Sequence, residues 1–208
     1  MVQLIQERDI TLAQLIDEFG LQRADNEQFF SEWQHDLPEL SDLEKESLNQ
    51  VKAEYLHLSK YSILSPVVKM VVLSPLLRLA GFYQPPFYIA LEEEVRIFSE
   101  DKGTIVRGRI DTLVFHPPLW VLVIEAKGSD YSLVPAIPQA LAYMLADATS
   151  AKPIFGFVTN GSEFRFIKLI KAETSQYVLS DLFALDSRDD IQTVVKVLKH
   201  LAYLIRNS

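Results

Sequence analysis

The segment Leu119-Trp-Val-Leu-Val-Ile-Glu125 limits the folds open to this chain more than any other stretch of it. Six consecutive apolar residues end on a carboxylate, and a strand apolar at every position is a central one, covered on both faces. Such a strand needs helices on either side of its sheet, so the chain is predicted to be α/β, with a central mixed sheet flanked by helices. The neighbouring segments agree. Phe87, Ile89, Leu91, Glu93, Val95 and Ile97 alternate with Tyr88, Glu92, Glu94 and Arg96, the period of a two-faced strand. A second strand is predicted over Thr104 to Phe115, joined to the central one through a turn at His116-Pro-Pro118. A helix from about Pro135 to Ala148 follows, then a strand at Ile154–Thr159. Asn160-Gly161 signals a tight hairpin into Glu163–Leu169. Ser187 is predicted to cap a last helix striped by Ile191, Val194, Val195, Leu198, Ala202 and Ile205.

The first sixty residues read differently. They hold 13 acidic and 5 basic side chains, whereas residues 61–208 hold 15 of each, so the whole formal charge of −8 lies at the amino-terminal end. Thr11 to Phe19 is a short amphipathic helix closed by Gly20, and Ser41-Asp-Leu-Glu44 is a capping box opening a helix to about Ser59. Residues 11–34 have an outline of helix-turn-helix. The part that would enter the major groove, Ala24 to Trp33, carries Asp25, Glu27 and Glu32 and no base-reading Arg, so a helical hairpin packed on the core is expected instead. The expected division is therefore an acidic helical region over 1–60 and a catalytic-type α/β domain over 61–208.

Several function classes drop out. The absence of cysteine excludes thiolate sites, and with four scattered histidines no zinc cluster is expected. Ile63 to Leu79 is strongly apolar, but Pro66, Lys69, Pro75 and Arg78 interrupt it, so it reads as buried helix, not as a membrane span. No basic-then-apolar leader is present near the start, and a cytoplasmic location is the expectation.

Three ionisable residues sit where packing alone would not put them. Asp111 lies late in the second strand, within Gly108-Arg-Ile-Asp111; Glu125 ends the central strand; Lys127 follows two residues later, on the same face as Glu125. A hairpin turning at 117–118 brings position 111 level with about 124, so the two carboxylates meet across neighbouring strands. Two close carboxylates and one ammonium suit metal-assisted phosphodiester hydrolysis. Mg²⁺ takes one or two carboxylates plus a carbonyl, here that of Ala126, and Lys127 would hold a water or offset developing charge. Arg107 and Arg109 on the second strand, and Arg165 and Lys168 in a locally basic stretch with Lys152 and Lys171, are candidate phosphate contacts, or neutralise neighbouring acids. The bland reading of Glu125 and Lys127 is a structural ion pair.

The constellation resembles the PD-(D/E)xK nuclease superfamily, whose Asp and Glu-x-Lys match Asp111, Glu125 and Lys127. Gly108-Arg-Ile-Asp111 is similar to the G-x-x-D form of its exonuclease branch and of the nuclease domain of type I restriction R subunits. Gln139-Ala-Leu-Ala-Tyr143 is similar to the Q-x-x-x-Y motif of the same branches. The resemblance implies a restriction-endonuclease-like fold, a DNA-cleaving hydrolase using Mg²⁺, with Mn²⁺ able to substitute, and roles for Gln139 and Tyr143 at the substrate. It maps a further metal acid best to Glu93, with Glu92 and Glu94 competing. Ile110 stands where the family's name has Pro. No G-x-x-x-x-G-K-[ST] occurs, so the ATP-driven motor of type I R subunits is not encoded in this sequence. The alternative is a nuclease-fold module that binds nucleic acid or a protein partner without efficient turnover. The closing helix or the 11–34 hairpin could support a homodimer or a partner subunit.

Overall fold

The computed structural model describes residues 3–6, 9–99, 104–116, 119–146 and 152–207. The elements run β1 (Gln3–Gln6), α1 (Leu12–Phe19), β2 (Gln22–Arg23), a 3-10 segment (Glu27–Trp33), α2 (Asp42–Leu58) and α3 (Ser65–Val68). A π-helical turn (Lys69–Leu73), α4 (Ser74–Ala80), β3 (Tyr88–Ser99), β4 (Thr104–His116), β5 (Leu119–Ala126) and α5 (Ala136–Ala146) come next. The chain closes with β6 (Ile154–Thr159), β7 (Glu163–Ile170), β8 (Gln176–Leu179), β9 (Phe183–Ala184) and α6 (Asp190–Arg206). Among the described residues the strands form one mixed sheet in the order β1-β4-β5-β6-β7-β8-β2, with β3 on β4 and β9 on β7.

β5 is central, as its composition requires. It runs antiparallel to β4 and parallel to β6, and alternate residues enter two separate cores. Leu122 and Ile124 join the core built with α2, α4 and α6, while Val123 joins the core under α5 and α1. These cores are the two faces of the sheet.

The amino-terminal region is woven into that sheet. β1 pairs parallel with residues 104–107 of β4, and β2 pairs parallel with β8. The expected helical hairpin over 11–34 is instead a helix, a two-residue strand and a 3-10 segment kinked at Phe30, whose ring is buried against Phe155. The capping box at Ser41 forms as predicted, α1 ends at Gly20 in the left-handed conformation, and a second capping box, which was not anticipated, forms at Thr11 with Gln14. Ser187 does not cap the last helix; its N–H donates to the Ala184 carbonyl, and α6 begins at Asp190 after Asp189, without a side-chain cap. The turn at Pro117-Pro118 and the end of the predicted helix at 147–148 lie outside the described residues. Ile63 to Leu79 is helical as expected, but one turn widens: Ser74 N–H donates to the carbonyl of Lys69, five residues back, ahead of Pro75.

β3 departs from uniform alternation. Phe87 and Ile89 pack in one core, yet Val95 and Ile97, of the same parity, pack in the other. β4 switches at the matching place, with Val106 and Ile110 in the same core as Leu113. The two ladders are continuous in register, Leu91 opposite Thr112 and Glu93 opposite Ile110, so the reversal falls on Glu92 and Asp111. Glu92 takes φ +56°, a left-handed backbone that costs a non-glycine residue roughly 1 kcal/mol or more.

Candidate active site

The site lies on one edge of β4. β3 occupies the opposite edge from 104 to 115, so β1 and β5 must share this one. β1 takes residues 104–107 and β5 takes 112–116, leaving Gly108-Arg-Ile-Asp111 without a strand partner on that side among the described residues. Asp111 uses the opening. Its Oδ2 accepts the Ala126 N–H at 2.9 Å, which ties the carboxylate to the backbone between Glu125 and Lys127.

The register is one residue from the simple hairpin estimate. A bulge between Val114 and Phe115 sets Thr112 opposite Ile124, so Asp111 comes level with Glu125 instead of 124. Glu125 is buried, at 5% exposure, and its Oε1 accepts from Lys127 Nζ at 2.6 Å. Its Oε2 is buried with no hydrogen-bond partner. Burial first, and the neighbouring charge of Asp111 second, push the Glu125 carboxyl up to about 7 against the pull of Lys127 and Lys69. Lys127 is anchored through its N–H to the Thr159 carbonyl on β6.

Lys69 was not expected here. From the widened turn it donates to Asp111 Oδ1 at 2.9 Å and to Glu92 Oε1 at 3.1 Å. Burial alone would lower its pKa, but the two acids outweigh that and raise it. Widened turns of this kind recur at functional sites. The sequence signal was a lone lysine three and four residues before the buried Val72 and Leu73 in an otherwise apolar run. Glu92, not Glu93, is therefore the acid tied to Asp111 through a shared cation. Glu93 stands exposed opposite Ile110. Arg109 reaches Glu92 at 3.8 Å and Glu94 at 3.6 Å, and Arg107 is exposed.

Gln139 and Tyr143 are buried on α5, in the core beneath the Glu125 face. Gln139 Oε1 also has no hydrogen-bond partner. Unpartnered buried acceptors are uncommon and call for an ion or water. Two carboxylates and hard oxygen donors match the ligand preference of Mg²⁺; among the described residues no cluster of three acidic or histidine side chains forms. Arg165 and Lys168 are not brought to this site. Arg165 donates from Nε to the Ser180 carbonyl, and Lys168 is 7% exposed, paired with Glu32 at 2.5 Å over the ring of Phe29.

A mixed α/β sheet carrying two strand carboxylates and a lysine defines a class before it defines a family. The sequence profile described as the type I restriction enzyme R protein N terminus (HSDR_N) matches residues 6–175, and the chain belongs to that family. No curated protein matches the sequence. Among solved structures, a fragment attributed to the HsdR subunit of a type I restriction enzyme from Vibrio vulnificus YJ016 is similar at 20% identity and a TM-score of 0.41. The match covers 66% of this chain and 25% of that one, so the chain spans about a quarter of the neighbour's length. No helix among the described residues is long and apolar enough to cross a membrane.

Proposed function

We propose that this chain is a PD-(D/E)xK-type nuclease that hydrolyses DNA phosphodiesters with Mg²⁺, or with Mn²⁺ in its place. The observation that carries the reading is the buried Glu125 carboxylate, with one oxygen on Lys127 and the other unpartnered, level with Asp111. Asp111, Glu125 and the carbonyl of Ala126 would hold the ion. When bound, Mg²⁺ supplies Lewis-acid polarisation of the phosphate and a more acidic water.

The chain's own groups do the rest. The Ala126 N–H fixes Asp111, so the carboxylate needs little reorganisation when substrate arrives. Lys127 Nζ donates a hydrogen bond to Glu125 Oε1 and offers charge to the phosphate beside it. Lys69 bridges Asp111 and Glu92, and its release toward a phosphate would compensate the backbone charge of a bound strand. Arg109, exposed on the open stretch of β4, and Arg107, exposed just before it opposite Gln6 of β1, are the remaining cations suited to flanking phosphates. Gln139 and Tyr143 support the site from α5.

Family membership supports this reading and also extends it. The chain would supply the nuclease part of a restriction-type assembly. The Lys69–Asp111 ion pair favours the second reading, a quiescent binding module, because it leaves the site already neutralised. Cleavage of supercoiled plasmid and of linear single- and double-stranded DNA with Mg²⁺ or Mn²⁺ separates the two. Activity lost in both Asp111→Ala and Lys127→Ala establishes the enzyme. Metal-free DNA binding without hydrolysis under either metal supports the module.

A further inference from the structure

Next to the carboxylates a cavity of about 700 Å³ opens between the widened helical turn and β3. Its size is that of a small-molecule site. The geometry points to this cavity as the subsite for an unpaired nucleobase flanking the scissile phosphate, which makes single-stranded or locally unpaired DNA the substrate class.

This inference rests on the nuclease reading and deepens it. Lys69, Glu92 and Thr112 line the end of the cavity nearest the site, and Thr112 is the residue after Asp111. A nucleotide whose phosphate lies at Asp111 has its base within reach of that space. The rest of the wall is aromatic and aliphatic. Phe82 and Phe87 meet edge to face at 5.1 Å at its base. Tyr83 is 45% exposed on its rim, and its hydroxyl donates to Ser74 Oγ at 2.9 Å, which holds the ring beside the opening. Leu91 completes an exposed apolar margin.

Stacking on aromatic rings is how strands are held without regard to sequence, and it requires a base with a free face. Inside a duplex both faces are covered by neighbours, so only an unpaired or extruded base can enter. A side chain of a protein partner would also suit an apolar groove. The cation at the site end of this one, Lys69, lies 2.9 Å from Asp111, complements a phosphate and favours the nucleotide.

The test is anisotropy of a short labelled oligothymidine and of a blunt duplex, measured with the full chain in metal-free buffer, where no cleavage occurs. The single strand is expected to bind more tightly than the duplex. Tyr83→Ala should weaken single-strand binding about 10-fold and leave the duplex unchanged, as expected for one lost stacked base. Tyr83→Phe should restore it, and Tyr203→Ala, an exposed tyrosine outside the cavity, should not alter it. A 2-aminopurine in the strand should be quenched by the wild type and not by Tyr83→Ala. Equal loss for both DNAs, or no loss, overturns the subsite and leaves the groove as a protein-docking face. If wild type cleaves with Mg²⁺ while Tyr83→Ala keeps its KM on single strands, the subsite fails and the nuclease stands. If no DNA is cleaved but Tyr83-dependent single-strand binding persists, the nuclease reading fails and the groove remains a strand-binding site.

Discussion

The sheet has two interrupted edges, and they are closed in opposite ways. On β7, β9 pairs with residues 163–164 and β8 with 167–170, leaving 165 and 166 between them. Ser180 fills that opening: its N–H donates to the Phe166 carbonyl, and its Oγ accepts the Phe166 N–H, both at 2.9 Å. A small neutral residue there restores the missing ladder. On β4 the opening at 108–111 holds Asp111, with Glu125, Lys127 and Lys69 around it. Among the described residues only the Ala126 N–H supplies a ladder-like bond there. An interruption closed by a serine is a repair of the sheet. One that gathers four ionisable side chains around an unpartnered carboxylate oxygen stores unfavourable electrostatics, which a ligand can relieve.

The comparison breaks most easily at Asp111. Asp111→Ala is expected to lower DNA cleavage about a thousandfold in a plasmid assay, while circular dichroism shows a folded chain. Ser180→Ala should leave cleavage intact; equal loss in both variants would erase the distinction between the two edges.

Glu125 gives the next largest effect. Its carboxyl is raised from 4.5 to about 7, so between those values the folded chain holds a proton that the unfolded chain has released. The contribution of Glu125 to stability is therefore fully present below about 4.5 and is lost as pH rises through about 7, roughly 3 kcal/mol. Urea unfolding across that range measures it, and Glu125→Gln should flatten the curve. Metal affinity should run the other way, rising with pH as the carboxylate forms.

Lys168→Met tests whether that lysine serves the fold or the substrate. It is expected to cost about 2 to 3 kcal/mol in urea unfolding, by stranding the half-buried Glu32, with no change in the salt dependence of DNA binding. Ser180→Ala has the smallest effect, about 1 to 2 kcal/mol, from one unpaired buried Phe166 N–H.

What the sequence made legible was whatever local chemistry decides. The apolar run to Ile124 identifies the central strand, and period two puts Glu125 with Lys127. The capping box at Ser41 marks the start of α2, and Gly20 marks the end of α1. Three features depended on tertiary structure. The bulge at Val114/Phe115 moves Asp111 by one residue relative to β5, and nothing in Val-Phe-His-Pro-Pro announces it. Gln3-Leu-Ile-Gln6 and Gln22-Arg23 are too short and polar to signal strands; they become so because β4 and β8 offer free edges. Lys69 looks like a break in an apolar helix until folding sets it against Asp111. The basic stretch around Arg165 and Lys168 misleads in the other direction, since a charge count does not reveal that Lys168 turns inward to Glu32.

The pleat reversal at Glu92 and Asp111 also bears on how β3 and β4 find their alignment. A uniformly alternating pair can slide by two residues and still present the same side chains to each layer, the slip that misassembled hairpins most readily adopt. Here both strands change sides at one point, and the ladder is satisfied only when those points coincide. A two-residue slip would leave a stretch in which one strand has crossed and the other has not. The strained backbone at Glu92 thus works as a notch, admitting a single alignment of the hairpin and delivering Asp111 to the height of Glu125 whenever the chain folds.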